Sequence, residues 1–155
     1  MALSTSDVIH MTLGVLTIGA FFYFNRALYF RVGGVSGVSL LEGGYYVVAI
    51  VALVIGWYFN VLYMSTYGDE VGWVHWTKLL FVNPASASGG QDLIFANLVL
   101  FPLWTVSEGR RCGMRASWWY FPMSLLTSFA FGIALFLAAQ QRQHRLNAMQ
   151  LRLGG

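Results

Sequence analysis

The chain has 155 residues, of which 57% are hydrophobic and only 10% charged, with a formal net charge of +3; an ordinary soluble domain carries about 25% charged residues. So little charge excludes a surface solvated by water and leaves a bilayer as the solvent in which this chain folds. The nine Lys and Arg residues stand singly or in short clusters beside apolar runs, which marks membrane-interface anchoring and excludes a nucleic-acid groove.

The length fits one domain, 1–155. The expected fold is all-α: a polytopic membrane protein with four transmembrane helices and a short interfacial helix. The opening "MALSTSDVIH" has no Lys or Arg before its apolar run, so a secretory signal is not expected and the first apolar segment stays in the protein. A bilayer core of about 30 Å needs about 20 mostly apolar helical residues. The first such stretch covers about 8–30, with Arg26 placed to snorkel. The link "RVGGVSGVSLLEGG", 31–44, holds five glycines and reads as turns. The second helix covers about 44–66. In the longest connection, 67–91, Trp73, Trp76 and Leu80 recur at helical spacing, which predicts an interfacial helix over about 70–82. "NPASASGG" then ends it, and Asp92 or Ser88 is the expected cap of a third helix over about 92–111, with Pro102 inside.

Gly113 is placed as the residue that closes the third helix. A turn as short as 112–116 makes the third and fourth helices an antiparallel hairpin. The fourth helix is expected over about 117–141, and the polar tail as its frayed extension. Four spans would put both termini on one side, with Lys78, Arg142, Arg145 and Arg152 there and Arg26, Arg31, Arg110, Arg111 and Arg115 opposite, which sets no orientation. Small residues mark packing faces: Ala52 and Gly56 in the second helix, and a ladder of Ser124, Ser128 and Gly132 in the fourth.

Reactive groups are scarce. Glu108 and Arg111 share a helical face at the end of the third helix. With Arg110 and Arg115 they form either an anchored helix end or a binding site for an anionic head group; in a sharper version Glu108 is a general acid. Asn97 and Asn60 are expected to bond across helices, as structural glue or as a substrate contact. His10 could ligate haem or a pigment, although only His75 is near enough to be a second ligand. Cys112 has no second cysteine, no Cys-His pair is apparent, and no metal site is expected. Arg110 and Arg111 would favour its thiolate.

The stretches "YYVVAIVALVIGWYFN", "FVNPASASGGQDLIFANLVLF" and "EGRRCGM", followed by an apolar last helix, carry a resemblance. Over about residues 45–141 the chain resembles a family of short bacterial integral-membrane proteins of unknown function. The resemblance implies a bacterial membrane protein with a three-helix core, in which Asn83, Asp92, Glu108, Arg110 and Arg111 belong to the shared pattern. It implies no activity, and the first helix and glycine-rich link stand outside it.

The expected function is non-catalytic: an accessory subunit packed against a larger complex of the bacterial inner membrane, electron-transfer or photosynthetic, in contact with lipid, quinone, carotenoid or pigment. The alternative is a small membrane enzyme acting on an isoprenoid or lipid, with Glu108 and Asp92 as acid and base.

Overall fold

The computed structural model describes residues 5–30 and 35–154, so Arg31 and the start of the glycine-rich link lie outside the described residues. Every regular element among the described residues is helical.

Helix α1, Thr5–Phe24, stops at Asn25, whose Nδ2 donates back to the Phe21 carbonyl (2.9 Å). A single further turn, α2 (Arg26–Tyr29), follows, so the stretch 8–30 is interrupted. Helix α3, Leu40–Tyr67, begins earlier than expected. Ser39 caps it: its Oγ accepts from the Glu42 N–H (3.2 Å). Ser-x-x-Glu is a capping pattern, and it draws Gly43 and Gly44 out of the link into the helix. The interfacial stretch contains α4, Trp73–Leu79.

The third helix also starts early. Asn83 is its cap, accepting from the Ser86 N–H (3.0 Å), with Pro84 in the first turn of α5 (Pro84–Phe95). Neither Ser88 nor Asp92 caps it. An Asn-Pro pair suits this place, because proline's fixed φ and missing N–H cost nothing there. A π turn, Ala96–Leu100, joins α5 to α6, Phe101–Cys112. Pro102 supplies the cause: it lacks an N–H, and its ring displaces the carbonyl one turn back. Gly113 closes α6 in the left-handed region (φ 77°, ψ 23°), where glycine alone is free of strain.

The stretch 117–141 departs most from expectation. It is not one helix. A short 3₁₀ turn leads into α7, Tyr120–Leu126; the chain reverses at Thr127–Ser128 and returns as α8, Phe129–Gly154. In a continuous helix Tyr120 and Phe136 would stand about 24 Å apart. Their ring centroids are 5.1 Å apart. Ser128 makes the reversal: its Oγ accepts from the Phe131 N–H (3.1 Å), as a helix-capping serine does. The ladder of Ser124, Ser128 and Gly132 is therefore not one helix face. Ser124 and Gly132 meet across the hairpin, where a Cβ on Gly132 would lie 2.7 Å from that of Ser124.

The hairpin tip stops halfway down the bundle. It meets α1 at Gly14, where a Cβ would come 2.9 Å from the Leu126 carbonyl oxygen, and α3 at Gly56, 2.9 Å from Ser128 Cβ. Around it pack Phe21, Phe101, Tyr120, Met123 and Phe136, each almost fully buried. Helix α3 is peripheral, and Ile50, Val54 and Tyr58 on its outer face are more than half exposed.

Helix α1 starts at one end of the bundle, near α4 and its tryptophans, and α8 finishes beyond the other. The two ends of the described chain thus lie opposite each other, because the hairpin returns to the side it entered. Arg26, Arg110, Arg111, Arg115, Arg142, Arg145 and Arg152 gather at the second end, hereafter the arginine end. Lys78 is at the first, the tryptophan end. Among the described residues two helices, not four, are long and apolar enough to cross a membrane: α1 over Asp7–Phe24, and α3.

Candidate functional site

Three polar constellations interrupt the apolar bundle. The first borders a cavity of about 850 Å³ between the hairpin tip and the tryptophan end. Its walls come from α1, α3, α4, α5 and residues 124–130 of the hairpin. Most of the lining is apolar. Among the polar groups, Asn60 Nδ2 lies 3.1 Å from His10 Nε2, and Ser124 Oγ donates to Asn97 Oδ1 (2.9 Å). Among the described residues, no Asp, Glu, Lys or Arg lines it. Ser128 Oγ also reaches the Ala52 carbonyl (3.4 Å) and ties the tip to α3.

Seven of the residues singled out from the sequence meet here: His10, Ala52, Gly56, Asn60, Asn97, Ser124 and Ser128. The pairing differs from expectation, since Asn60 bonds His10 and Asn97 bonds Ser124. His75 stacks on Tyr63 instead, with Nδ1 3.0 Å from the tyrosine hydroxyl.

The second constellation was not foreseen. Glu42, fully buried, binds Arg142 through Oε1 (2.9 Å) and Arg145 through Oε2 (2.7 Å). Arg142 spends its other donors on the carbonyls of Leu28 (3.0 Å), Val35 (3.0 Å) and Gly37 (3.2 Å), and its guanidinium lies over the Tyr29 ring. Tyr46 donates to Glu42 Oε1 (3.0 Å). A buried carboxylate is tolerated only when its charge and lone pairs are satisfied this fully. The triad fastens α2, the link and the start of α3 to α8. Arg142 and Arg145, three apart on one helix, were a usable signal; Glu42 was hidden by its placement in a supposed turn.

The third constellation lies at the arginine end, past Val106, the last apolar residue of its helix before Glu108. Glu108 takes a bidentate hold from Arg111, through Nη2 and through Nε (2.7 Å). Gln140 Nε2 donates to Glu108 Oε1 (2.7 Å). Cys112 Sγ lies 3.5 Å from that same oxygen and 3.6 Å from His144 Nε2. The Arg111 hydrogen bond holds the Glu108 carboxyl down to about 2. The pair's contribution is therefore complete above the ordinary carboxylate range near ~4.3 and is lost only as pH falls through about 2. Burial pushes the Cys112 thiol up. Burial and the neighbouring Glu108 carboxylate outweigh the pull that Arg111 exerts toward the thiolate expected beside two arginines. The Cys-His pair that sequence spacing did not reveal is made by α8 running beside α6.

Arg110 and Arg115 are exposed, with no ion pair among the described residues. Asp92 is exposed and accepts from Gln91 (2.6 Å). Glu108 lies about 24 Å from it along the helical path, at 1.5 Å per residue. The two carboxylates cannot serve one reacting bond as acid and base.

Residues 45–142 match a family model described as "Protein of unknown function DUF2834". The match includes the cavity's Asn60, Asn97 and Ser124, and leaves out His10, Glu42 and His144. No curated protein and no solved structure matches the chain.

Proposed function

The chain belongs to the DUF2834 family, and we propose that it is a non-catalytic bacterial inner-membrane protein that holds a neutral amphiphile in the open-sided cavity beside its hairpin tip. The observation that carries this reading is the cavity itself. Its volume of about 850 Å³ falls in the range of about 300–1,000 Å³ usual for small-molecule sites. An apolar wall with amide, imidazole and hydroxyl groups, and no charged side chain, selects an uncharged molecule with one hydrogen-bonding head. Quinones and isoprenoid alcohols have that chemistry. On this reading α1, α3 and the α5–α6 column cross the bilayer, and α7–α8 is re-entrant. Irregular backbone at membrane depth is tolerated where it lines a cavity, as the Thr127–Ser128 turn does. The exposed outer face of α3 gives a larger membrane complex a surface to pack against, so the protein acts as an accessory subunit.

The test is native mass spectrometry of the full chain released from membrane nanodiscs. The wild type is expected to carry one copy of a single neutral species. Leu93→Trp, which fills the cavity from its wall, is expected to abolish that adduct without loss of fold. The same spread of bulk lipids on both proteins would defeat the proposal.

The arginines also support an orientation. Seven at the arginine end against Lys78 at the other, among the described residues, favour a cytoplasmic arginine end under the positive-inside rule. A fluorescent reporter fused after the C-terminus should light up, since it folds only in the cytoplasm, and alkaline phosphatase fused there should be inactive. The reverse pattern would overturn the orientation.

A further inference from the structure

We propose that Glu108, Cys112 and His144 form a binding site for a divalent cation of zinc's class at the arginine end of the bundle. One donor atom from each lies within 4.8 Å of the other two. The spacing is closer than that figure demands. Zinc sits about 2.3 Å from a thiolate and about 2.0–2.2 Å from imidazole nitrogen or carboxylate oxygen. At tetrahedral angles those bonds put the sulfur about 3.5 Å from each of the other two ligand atoms. Cys112 Sγ stands 3.5 Å from Glu108 Oε1 and 3.6 Å from His144 Nε2. Two of the three donor–donor edges, those from the sulfur, already have the length a zinc tetrahedron requires.

The helices explain why. Glu108 and Cys112 are four apart on α6, and Gln140 and His144 are four apart on α8, so each pair occupies one face. Asn147 Nδ2 donates to the Cys112 carbonyl (3.0 Å) and fixes the two helices in register. One sulfur, one nitrogen and one oxygen ligand suit zinc better than magnesium or calcium, which prefer all-oxygen sites. Three protein ligands leave a fourth corner for water. Gln140 Nε2 stands near it, 3.7 Å from Cys112 Sγ, and with its amide turned over its oxygen can take that corner.

Without metal, Glu108 Oε1 is occupied by other cationic and polar donors: Arg111, Gln140 and the thiol hydrogen. Binding exchanges them for the ion. Cys112 releases its proton to solvent and becomes the thiolate, His144 binds as the neutral imidazole, and Arg111 swings away. The Arg111 side chain is 69% exposed, so it has water to move into at small cost.

The test uses the full chain in mild detergent, stripped with chelator and titrated with cobalt, a spectroscopic stand-in for zinc. One equivalent is expected to give the intense visible bands of tetrahedral cobalt and a thiolate-to-cobalt charge-transfer band. Zinc added afterwards should erase both. Cys112→Ser should abolish the charge-transfer band, and His144→Ala, at an exposed position, should weaken binding at least tenfold. Binding that persists undiminished in both variants, or cobalt bands of the octahedral aquo type, would overturn the site. His75→Ala serves as the control and should leave the titration unchanged.

Discussion

Glu42→Gln is expected to cost about 3–5 kcal/mol of stability, the usual penalty for leaving one partner of a buried ion pair uncompensated. The change keeps the side chain's size and removes only its charge. Arg142, itself 9% exposed, would then face the carbonyls of Leu28, Val35 and Gly37 with no counter-charge. Arg145 suffers less, because it lies nearer solvent. The measurement is the unfolding midpoint of the detergent-solubilised chain, followed by circular dichroism. Arg110→Ala is the comparison, an exposed cation expected to stay within about 0.5 kcal/mol of wild type. The double variant Glu42→Gln with Arg142→Gln should lose less than the sum of its two single changes, since the partners fail together. Equal midpoints for Glu42→Gln and Arg110→Ala would mean that the buried triad does not form.

Gly132→Leu is expected to prevent the folded state from accumulating. A Cβ at that position meets Ser124 Cβ at 2.7 Å, Ser124 Cα at 3.3 Å and the Tyr120 carbonyl oxygen at 3.4 Å. Two of those atoms are backbone, so neither arm can give way by a change of rotamer. Spreading the arms would expose Met123, Tyr120 and Phe136, now almost fully buried. Even Gly132→Ala should cost about 1–3 kcal/mol. Gly19→Leu is the control: nothing lies within 4 Å of a Cβ there, and the variant should fold. The comparison tests the close approach of the two hairpin arms at Gly132, against a glycine with open space around it. Equal yields of monodisperse Gly132→Leu and Gly19→Leu protein would rule out that approach.

How legible these features were depended on the range over which they act. The all-helical class followed from composition, and the middle of α3 from a long uncharged run. The starts of α3 and α5 were written locally as well. Ser39 with Glu42, and Asn83 with Pro84, are start signals that were outweighed by the glycines beside them. A glycine disfavours a helix only in proportion to what else holds the helix, and here Gly90 permits a close approach to Leu80, whose Cβ would lie 2.8 Å from a Cβ at that position.

The hairpin was harder to see. Hydropathy averages over the run from 117 to 141 and ignores Thr127–Ser128, two small polar residues at its middle. Read as a small-residue ladder, Ser128 concealed its role as the cap of α8. Once the reversal is missed, everything at the arginine end follows wrongly. Arg142 and His144 are assigned to the opposite side from Glu42 and Cys112, and neither constellation there can be assembled on paper. The cavity residues survived the error. Asn60 and Asn97 stand out because polar groups in apolar helices need partners, a rule that does not depend on topology; His10 stands out as a candidate haem or pigment ligand and Ser124 as a small packing residue.

The reversal at Thr127–Ser128 also bears on how the chain is made. On the proposed orientation, with the arginine end in the cytoplasm, a stretch 117–141 that crossed the bilayer would require export of the polar end of α8. Arg142, Arg145 and Arg152 would each have opposed that transfer, at about 2.5–3.5 kcal/mol for an arginine at bilayer depth. A segment that turns back halfway asks nothing of the export machinery. On the proposed orientation α8 stays on the side where the Glu42 carboxylate lies, and inserting the hairpin among the other helices brings Arg142 to it.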